Sequence, residues 1–343
     1  MRKKTCMILF LAALASMGVG CNKTGTQGEP DPALEPLVFS GTNVVTKAVF
    51  TDGLVSGALE WSDYDNLGVY SCDASTHALV HQGFAALSSK AGDDAVFQSG
   101  VARSTWSGNG AYEHLLLCAY YPQMKSPQAY LDGTGYINLN VPAIQNGEFG
   151  KYHICYSQID MDRISLEGGT PVAFTFAPKT ALLRVRPVVA AGSEADKVYI
   201  KQLVVSIGNG KQLAGDCKMP IPGGNLALNV GNSSSAISVV LPSPITITKT
   251  AEQNPYIDVV ILPENAQNAV LSFYVIASDG TKFTMTGKLA PVQFQAGTRY
   301  HIDRPILVSL DGTPDGQYID GGYAWSYTDT EEDGAYIDGG IAW

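Results

Sequence analysis

Turn-forming Gly, Pro, Asn and Asp recur about every 8–12 residues along most of this 343-residue chain, with short runs rich in Val, Ile, Tyr, Phe and Thr between them. The runs include Asn66–Cys72, Glu113–Tyr121, Tyr136–Val141, Val172–Phe176, Ala181–Val189, Lys197–Ile207, Ala236–Leu241, Tyr256–Leu262 and Ala269–Ala277. β-branched and aromatic side chains fit a pleated, half-buried surface. No segment sustains a helical period. The pattern predicts an all-β chain, folded as a sandwich or barrel. Leu271–Ala277 and Lys282–Leu289 flank Ser278-Asp279-Gly280, which predicts a hairpin. Arg184 and Arg186 alternate with apolar neighbours, which predicts one buried and one wet sheet face there.

The N-terminus constrains location. Arg2, Lys3 and Lys4 precede an uncharged run from Met7 to Gly20. A basic start, a short apolar stretch and small residues before a cleavage point make a secretory signal over 1–20. The run is short for a bilayer span, which needs roughly 20 apolar residues. Gly18-Val19-Gly20-Cys21 resembles a bacterial lipobox, which implies cleavage between Gly20 and Cys21 and acylation of Cys21, palmitate included. The alternative is an ordinary signal with an incidental Cys. Either way the protein is expected to leave the cytosol. Residues 21–36 are then a flexible tether, since 22–36 has almost no apolar content.

Removing residues 1–20 leaves 323 residues, a length that suggests two domains. Gly168-Gly169-Thr170-Pro171 is the best boundary, giving one β domain at 37–168, a second at 169–310 and a tail at 311–343. The whole chain carries a net charge of −10. The signal holds three of the 22 bases and none of the 32 acids, so the remainder stands at −13. Such a chain has no electrostatic footprint for nucleic acid.

The tail repeats itself. Tyr318-Ile319-Asp320-Gly321-Gly322-Tyr323-Ala324-Trp325 returns 18 residues later as Tyr336-Ile337-Asp338-Gly339-Gly340-Ile341-Ala342-Trp343, identical at seven of eight positions. Residues 311–343 hold eight acids, no base and two of the four Trp. In extended conformation Ile319, Tyr323 and Trp325 share one side, as do Ile337, Ile341 and Trp343. An apolar strand face without a partner suits β-augmentation, in which backbone bonds give affinity and alternate side chains fill pockets. A terminal hairpin or strands docked on the chain's own sheet is the rival, and ligand-binding aromatics are a third option.

Signals for chemistry are weak. His77, His81, His114, His153 and His301 form no metal-ligand spacing, and there is no G-x-S-x-G, P-loop or dinucleotide fingerprint. No catalytic residue, metal or cofactor is expected. Asp329–Gly334 is acidic, but an EF-hand would need a carboxylate where Gly340 stands. Cys72, Cys118, Cys155 and Cys217 lack any C-x-x-C and are expected mainly as buried, unpaired small hydrophobes. Tyr120, Tyr121, Tyr152 and Tyr156 are expected in the core more than on a glycan-binding face.

A series of segments carries a family resemblance. It comprises Val45-Thr46-Lys47-Ala48-Val49-Phe50, the stretch Trp61–Tyr70, Ala119-Tyr120-Tyr121-Pro122, the stretch Phe174–Val185 and the stretch Phe294–Ile302, all behind the lipobox Cys. In order and spacing the series resembles the fimbrillin family of the Bacteroidia, lipoprotein precursors of type V pilus subunits. The resemblance covers about residues 1–310. It implies two tandem transthyretin-like Greek-key β-sandwich domains and delivery to the outer membrane by the lipoprotein export machinery. It further implies that a trypsin-like surface protease cuts after a basic residue near the first strand, here between Lys47 and Ala48. The lipid and that strand would be removed, and the groove would accept a C-terminal strand from another pilus subunit. The expected function is a structural subunit of an adhesive extracellular fimbrium, not an enzyme. The alternative is a glycan-binding lipoprotein that stays anchored at Cys21.

Overall fold

A computed structural model describes residues 31–43, 66–91, 94–122, 135–147, 149–208, 210–220, 222–263, 271–286, 294–309 and 325–328. The strands in chain order are β1 (Pro36–Asn43), β2 (Asn66–Asp73), β3 (Leu79–Ala91), β4 (Asp94–Ala102) and β5 (His114–Tyr121). Then come β6 (Tyr136–Val141), β7 (Ile144–Gln145), β8 (Cys155–Asp162), β9 (Val172–Pro178), β10 (Ala181–Val189), β11 (Lys197–Ile207) and β12 (Ala214–Pro220). The series ends with β13 (Ala227–Ser234), β14 (Ala236–Thr248), β15 (Ile257–Ile261), β16 (Leu271–Ala277), β17 (Lys282–Thr286), β18 (Arg299–Ser309) and β19 (Trp325–Thr328). Two single-turn helices, α1 (Arg103–Trp106) and α2 (Arg163–Glu167), interrupt them. The fold is all-β, as the punctuated sequence predicts.

Seven strands close a barrel in the order β1-β4-β3-β2-β5-β8-β9. Its interior is packed with Leu37, Phe39, Leu67, Phe97, Trp106, Leu117, Phe174 and Phe176, all buried. The run His114–Tyr121 is apolar on both faces for a reason. Leu115, Leu117 and Ala119 face the barrel interior, while Cys118 and Tyr120 join a second cluster outside it. That cluster joins the barrel's outer wall to a three-stranded sheet, β13-β12-β6, and to a large sheet in the order β15-β10-β18-β17-β16-β11-β14-β7. The predicted hairpin at Ser278–Gly280 joins β16 to β17, with Gly280 at φ 93°.

The halves are stitched together differently from the expected boundary at 168/169. Gly168 and Gly169 form the end of α2, where the Gly168 N–H donates to Ile164 O and Gly169 takes φ 92°. The following strand, β9, pairs with β8 and β1 and so completes the barrel. The crossing into the large sheet comes at Lys179–Thr180. In the other direction, β6 and β7 leave the first half of the sequence to pair with β12 and β14. A glycine-rich turn marks a change of direction, and here the chain turns within one body.

Gln145 completes the large sheet. Its side-chain amide donates to Val260 O (2.8 Å) and accepts from Val260 N–H (3.0 Å). β7 lies at one end of the sheet order and β15 at the other, so one buried side chain bridges the two edges. The expected wet face at Arg184 is corrected too. Arg184 is only 3 % exposed. Its Nε donates to Asp258 on β15 (2.9 Å), and its guanidinium lies 4.6 Å from the Tyr256 ring centroid. An ion pair and an aromatic ring let a charged position be covered.

Where barrel and small sheet meet, Tyr156 of β8 packs on Gly223, whose N–H donates to its hydroxyl (2.7 Å). Tyr156 in turn donates to Gln158 Oε1 (2.9 Å). A Cβ at position 223 would overlap the Tyr156 ring. Gly223→Ala is therefore expected to cost about 1–3 kcal/mol, measured by chemical denaturation, because the ring has no room to yield without losing its hydrogen bonds.

Candidate functional site

The best candidate for a working site is the seat of β1. The strand enters through a 3-10 turn at Pro32–Leu34. It is held at its start by the Arg103 N–H donating to Glu35 O (2.9 Å). The buried Arg103 guanidinium donates to Leu166 O and Thr170 O (both 3.1 Å), tying this entry to the α2–β9 loop. β1 then runs antiparallel to β4, with Phe39 opposite Phe97 and Ser40 opposite Val96, and parallel to β9, with Phe39 opposite Val172. It is the only link between β4 and β9 among the described residues, so it closes the barrel.

Period-2 geometry sends Leu37 and Phe39 inward, and both are fully buried. Phe39 stacks on Phe174 at 5.4 Å and meets Trp106 edge-on at 5.9 Å. Val38 between them points outward and is 38 % exposed. With β1 absent, β4 and β9 would stand two strand spacings apart, about 9.6 Å. Their inward-facing backbone groups would be unpaired over an apolar trough floored by Phe174 and Trp106. Such a trough is shaped to receive another extended strand. Leu37 and Phe39 carry the site, and the short apolar run Leu37-Val38-Phe39 was the available sequence signal, which marks a strand but not its buried face. The contributions of Trp106 and Phe174 depend on non-local pairing and had none.

Strand β18 is paired on both sides. Over Tyr300–Asp303 its far side pairs antiparallel with β19, with Trp325 opposite Asp303 and Tyr327 opposite His301. Of the tail residues singled out, Trp325 therefore opens a strand on the chain's own sheet. Ile319, Tyr323, Ile337, Ile341 and Trp343 lie outside the described residues, as do Gly20, Cys21, Lys47 and Ala48.

The seam behind β9 holds a buried histidine. His153 Nδ1 lies 2.7 Å from Thr180 Oγ1, which also accepts from Ile154 N–H (3.2 Å). Thr180 O accepts from Gly297 N–H (2.9 Å), so the two-residue crossing is bonded on both sides. The ring's other nitrogen, Nε2, finds no partner among the described residues. Burial pushes His153 down to about 4 from its ordinary 6.5. The unfolded chain therefore takes up this proton first as pH falls. Stability is full above about 6.5 and declines as pH drops towards 4, by up to about 3 kcal/mol. His153→Gln is expected to flatten that slope in denaturation curves recorded between pH 7 and 4.

Cys72, Cys118, Cys155 and Cys217 are buried and unpaired. Burial pushes the Cys72 and Cys217 thiols up to about 12 and Cys118 to about 11, so none is a ready nucleophile. Tyr120, Tyr121 and Tyr156 are buried, and Tyr152 packs against the core with its hydroxyl on Asn146 (3.1 Å). Among the described residues no group of three or more His, Cys, Asp or Glu is placed to hold a metal ion. No helix among them is long and apolar enough to cross a membrane.

No family model matches the chain, and no curated protein matches it in sequence. The fold has a counterpart among solved structures. A candidate cell adhesion protein from Bacteroides uniformis superposes with a TM-score of 0.51 at 16 % identity, covering 89 % of this chain and 99 % of that one. A candidate cell adhesion protein from Bacteroides ovatus gives 0.48 at 16 % identity over 82 % and 97 %. A fimbrial protein from Bacteroides vulgatus gives 0.47 at 10 % identity over 78 % and 94 %. At 16 % identity the likeness to the Bacteroides uniformis protein is one of fold.

Proposed function

We propose that this chain is a structural subunit of a cell-surface fimbrium, exported as a lipoprotein through Cys21 and assembled by protease-triggered strand exchange. One observation carries the proposal. The first strand of the folded body, β1, is the strand that closes the barrel, and it lies between the candidate lipid site and the candidate cleavage site. Cutting between Lys47 and Ala48, four residues beyond the end of β1, would sever that strand from the rest of the chain. Loss of β1 would open the trough between β4 and β9. The partners on this reading are other pilus subunits, the lipoprotein export machinery, a trypsin-like surface protease and, before cleavage, the outer membrane. The lipid is then a delivery device that is discarded with the strand.

The test is direct. Protein carrying a site-specific protease sequence at 47–48 is expected to form polymers on cleavage and to remain monomeric uncut. Deletion of 318–343 should leave monomers after cleavage, and polymers that persist without the tail would overturn its donor role. Mass spectrometry of surface-isolated protein is expected to find Ala48 as the mature N-terminus. An N-terminus at acylated Cys21 would instead favour a permanently anchored protein.

A further inference from the structure

We infer that the outer face of the three-stranded sheet β13-β12-β6 is a glycan-binding site, built to take a neutral oligosaccharide. The inference does not depend on strand exchange. In the register of β6 and β12, Ile137 lies opposite Met219 and Leu139 opposite Cys217. All four side chains are buried in the core. Period-2 geometry sends their neighbours to the other face, where Asn138 lies opposite Lys218 and Asn140 opposite Asp216. Tyr136 opens β6 on this same face and is 39 % exposed.

The make-up of this face is not what a sheet needs. Asn and Asp are depleted from strands, yet Asn138, Asn140, Asp216 and Asn232 stand on these three. They are also organised. Asp216 Oδ1 accepts from Asn140 Nδ2 and Oδ2 from Asn232 Nδ2, both at 2.8 Å, so amides from the two flanking strands fix the carboxylate. A carboxylate oxygen offers two acceptor sites, so each keeps one for an outside hydroxyl. Lys218 Nζ lies 5.7 Å from the Tyr136 ring centroid, which sets a donor beside an exposed aromatic plate. The charges of Asp216 and Lys218 cancel, so the face favours a ligand without net charge. Hydroxyls that donate and accept, next to a C–H face that packs on an aromatic ring, are the chemistry of a sugar. An apolar surface with a few fixed polar groups is the general composition of a small-ligand site. From Tyr136 to Asn140 the face runs about 13 Å along β6, long enough for a short oligosaccharide.

The test applies the uncut chain to an array of neutral, sialylated and sulfated oligosaccharides, followed by saturation-transfer NMR with each glycan retained. The expected result is retention of neutral glycans, with saturation reaching their ring protons. Tyr136→Phe should keep that binding, because the aromatic plate remains. Tyr136→Ala and Asp216→Asn should each weaken it by about tenfold or more, with thermal midpoints close to that of the unaltered chain. Asp216→Asn preserves the side chain's shape, so it reports on recognition even if Tyr136→Ala disturbs the start of β6. Retention of sialylated or sulfated glycans alone would overturn the neutral assignment. Binding that survives both substitutions, or no retention of any glycan, would overturn the site itself. Cleavage-triggered polymerisation of the Tyr136→Ala protein should be unchanged, so this inference and strand exchange stand or fall separately.

Discussion

Phe39→Ala is expected to destabilise the intact barrel by about 3–5 kcal/mol, the usual range for removing a fully buried phenylalanine. The site offers little relief. Phe39 is sandwiched between Phe174 and Trp106, and those two are fixed by β9 and by α1 rather than by β1 itself. The cavity would open in the barrel interior, where the ring packs, while the backbone pairing of residue 39 with Phe97 and Val172 is retained. Thermal unfolding should show a loss on the order of 10 °C. On the strand-exchange reading a second effect follows with the opposite sign for assembly. A weakened β1 leaves more readily, so the cleaved variant should polymerise faster than the unaltered chain. A variant that is less stable yet slower to polymerise would count against exchange at this seat.

Gln145→Ala is expected to cost about 2–6 kcal/mol, although it removes only one polar side chain. The two bonds from Gln145 satisfy both backbone groups of Val260, which is itself fully buried. Deleting the amide strands a buried N–H and a buried C=O, each worth about 1–3 kcal/mol when left unmet. The loss should appear in chemical denaturation, and amide exchange at Val260 and its neighbours on β15 should accelerate with it. Protection at Phe97 and elsewhere in the barrel should change least, because Gln145 belongs to the large sheet. Uniform loss of protection across both bodies would show instead that the sheet and barrel unfold as one unit.

Much of the architecture was legible in the sequence because turns and β-runs are local. Tyr136–Val141, Ala181–Val189 and Lys197–Ile207 are strands over those same residues. What stayed hidden was non-local. Val260 and Gln145 are 115 residues apart, and no periodicity links an amide to the edge strand it completes. Arg184 looked like a wet position because its alternation with apolar residues was real. Its covering partners, Asp258 on β15 and Tyr256 just before it, are met only after folding. The boundary at Gly168–Pro171 misplaced β9 for a related reason: glycine and proline report where a chain turns, not which body it turns within. The β1 seat was half visible. Leu37-Val38-Phe39 announces a short strand, but nothing local shows which face is buried or that this strand has β9 as its parallel neighbour.

That parallel pairing bears on the order in which the molecule can be made. Val172 follows Phe39 by 133 residues, so the first described strand finds its second neighbour only once β9, the last of the seven barrel strands in chain order, has been made. Contacts of such separation form late, after the entropy of closing a long loop has been met. Until then Leu37 and Phe39 are exposed on a strand with an open edge, the arrangement most prone to mispairing with other chains. The same few residues thus set two clocks, one for reaching the native barrel without aggregating and, on the strand-exchange reading, one for keeping the barrel closed until the strand is cut away.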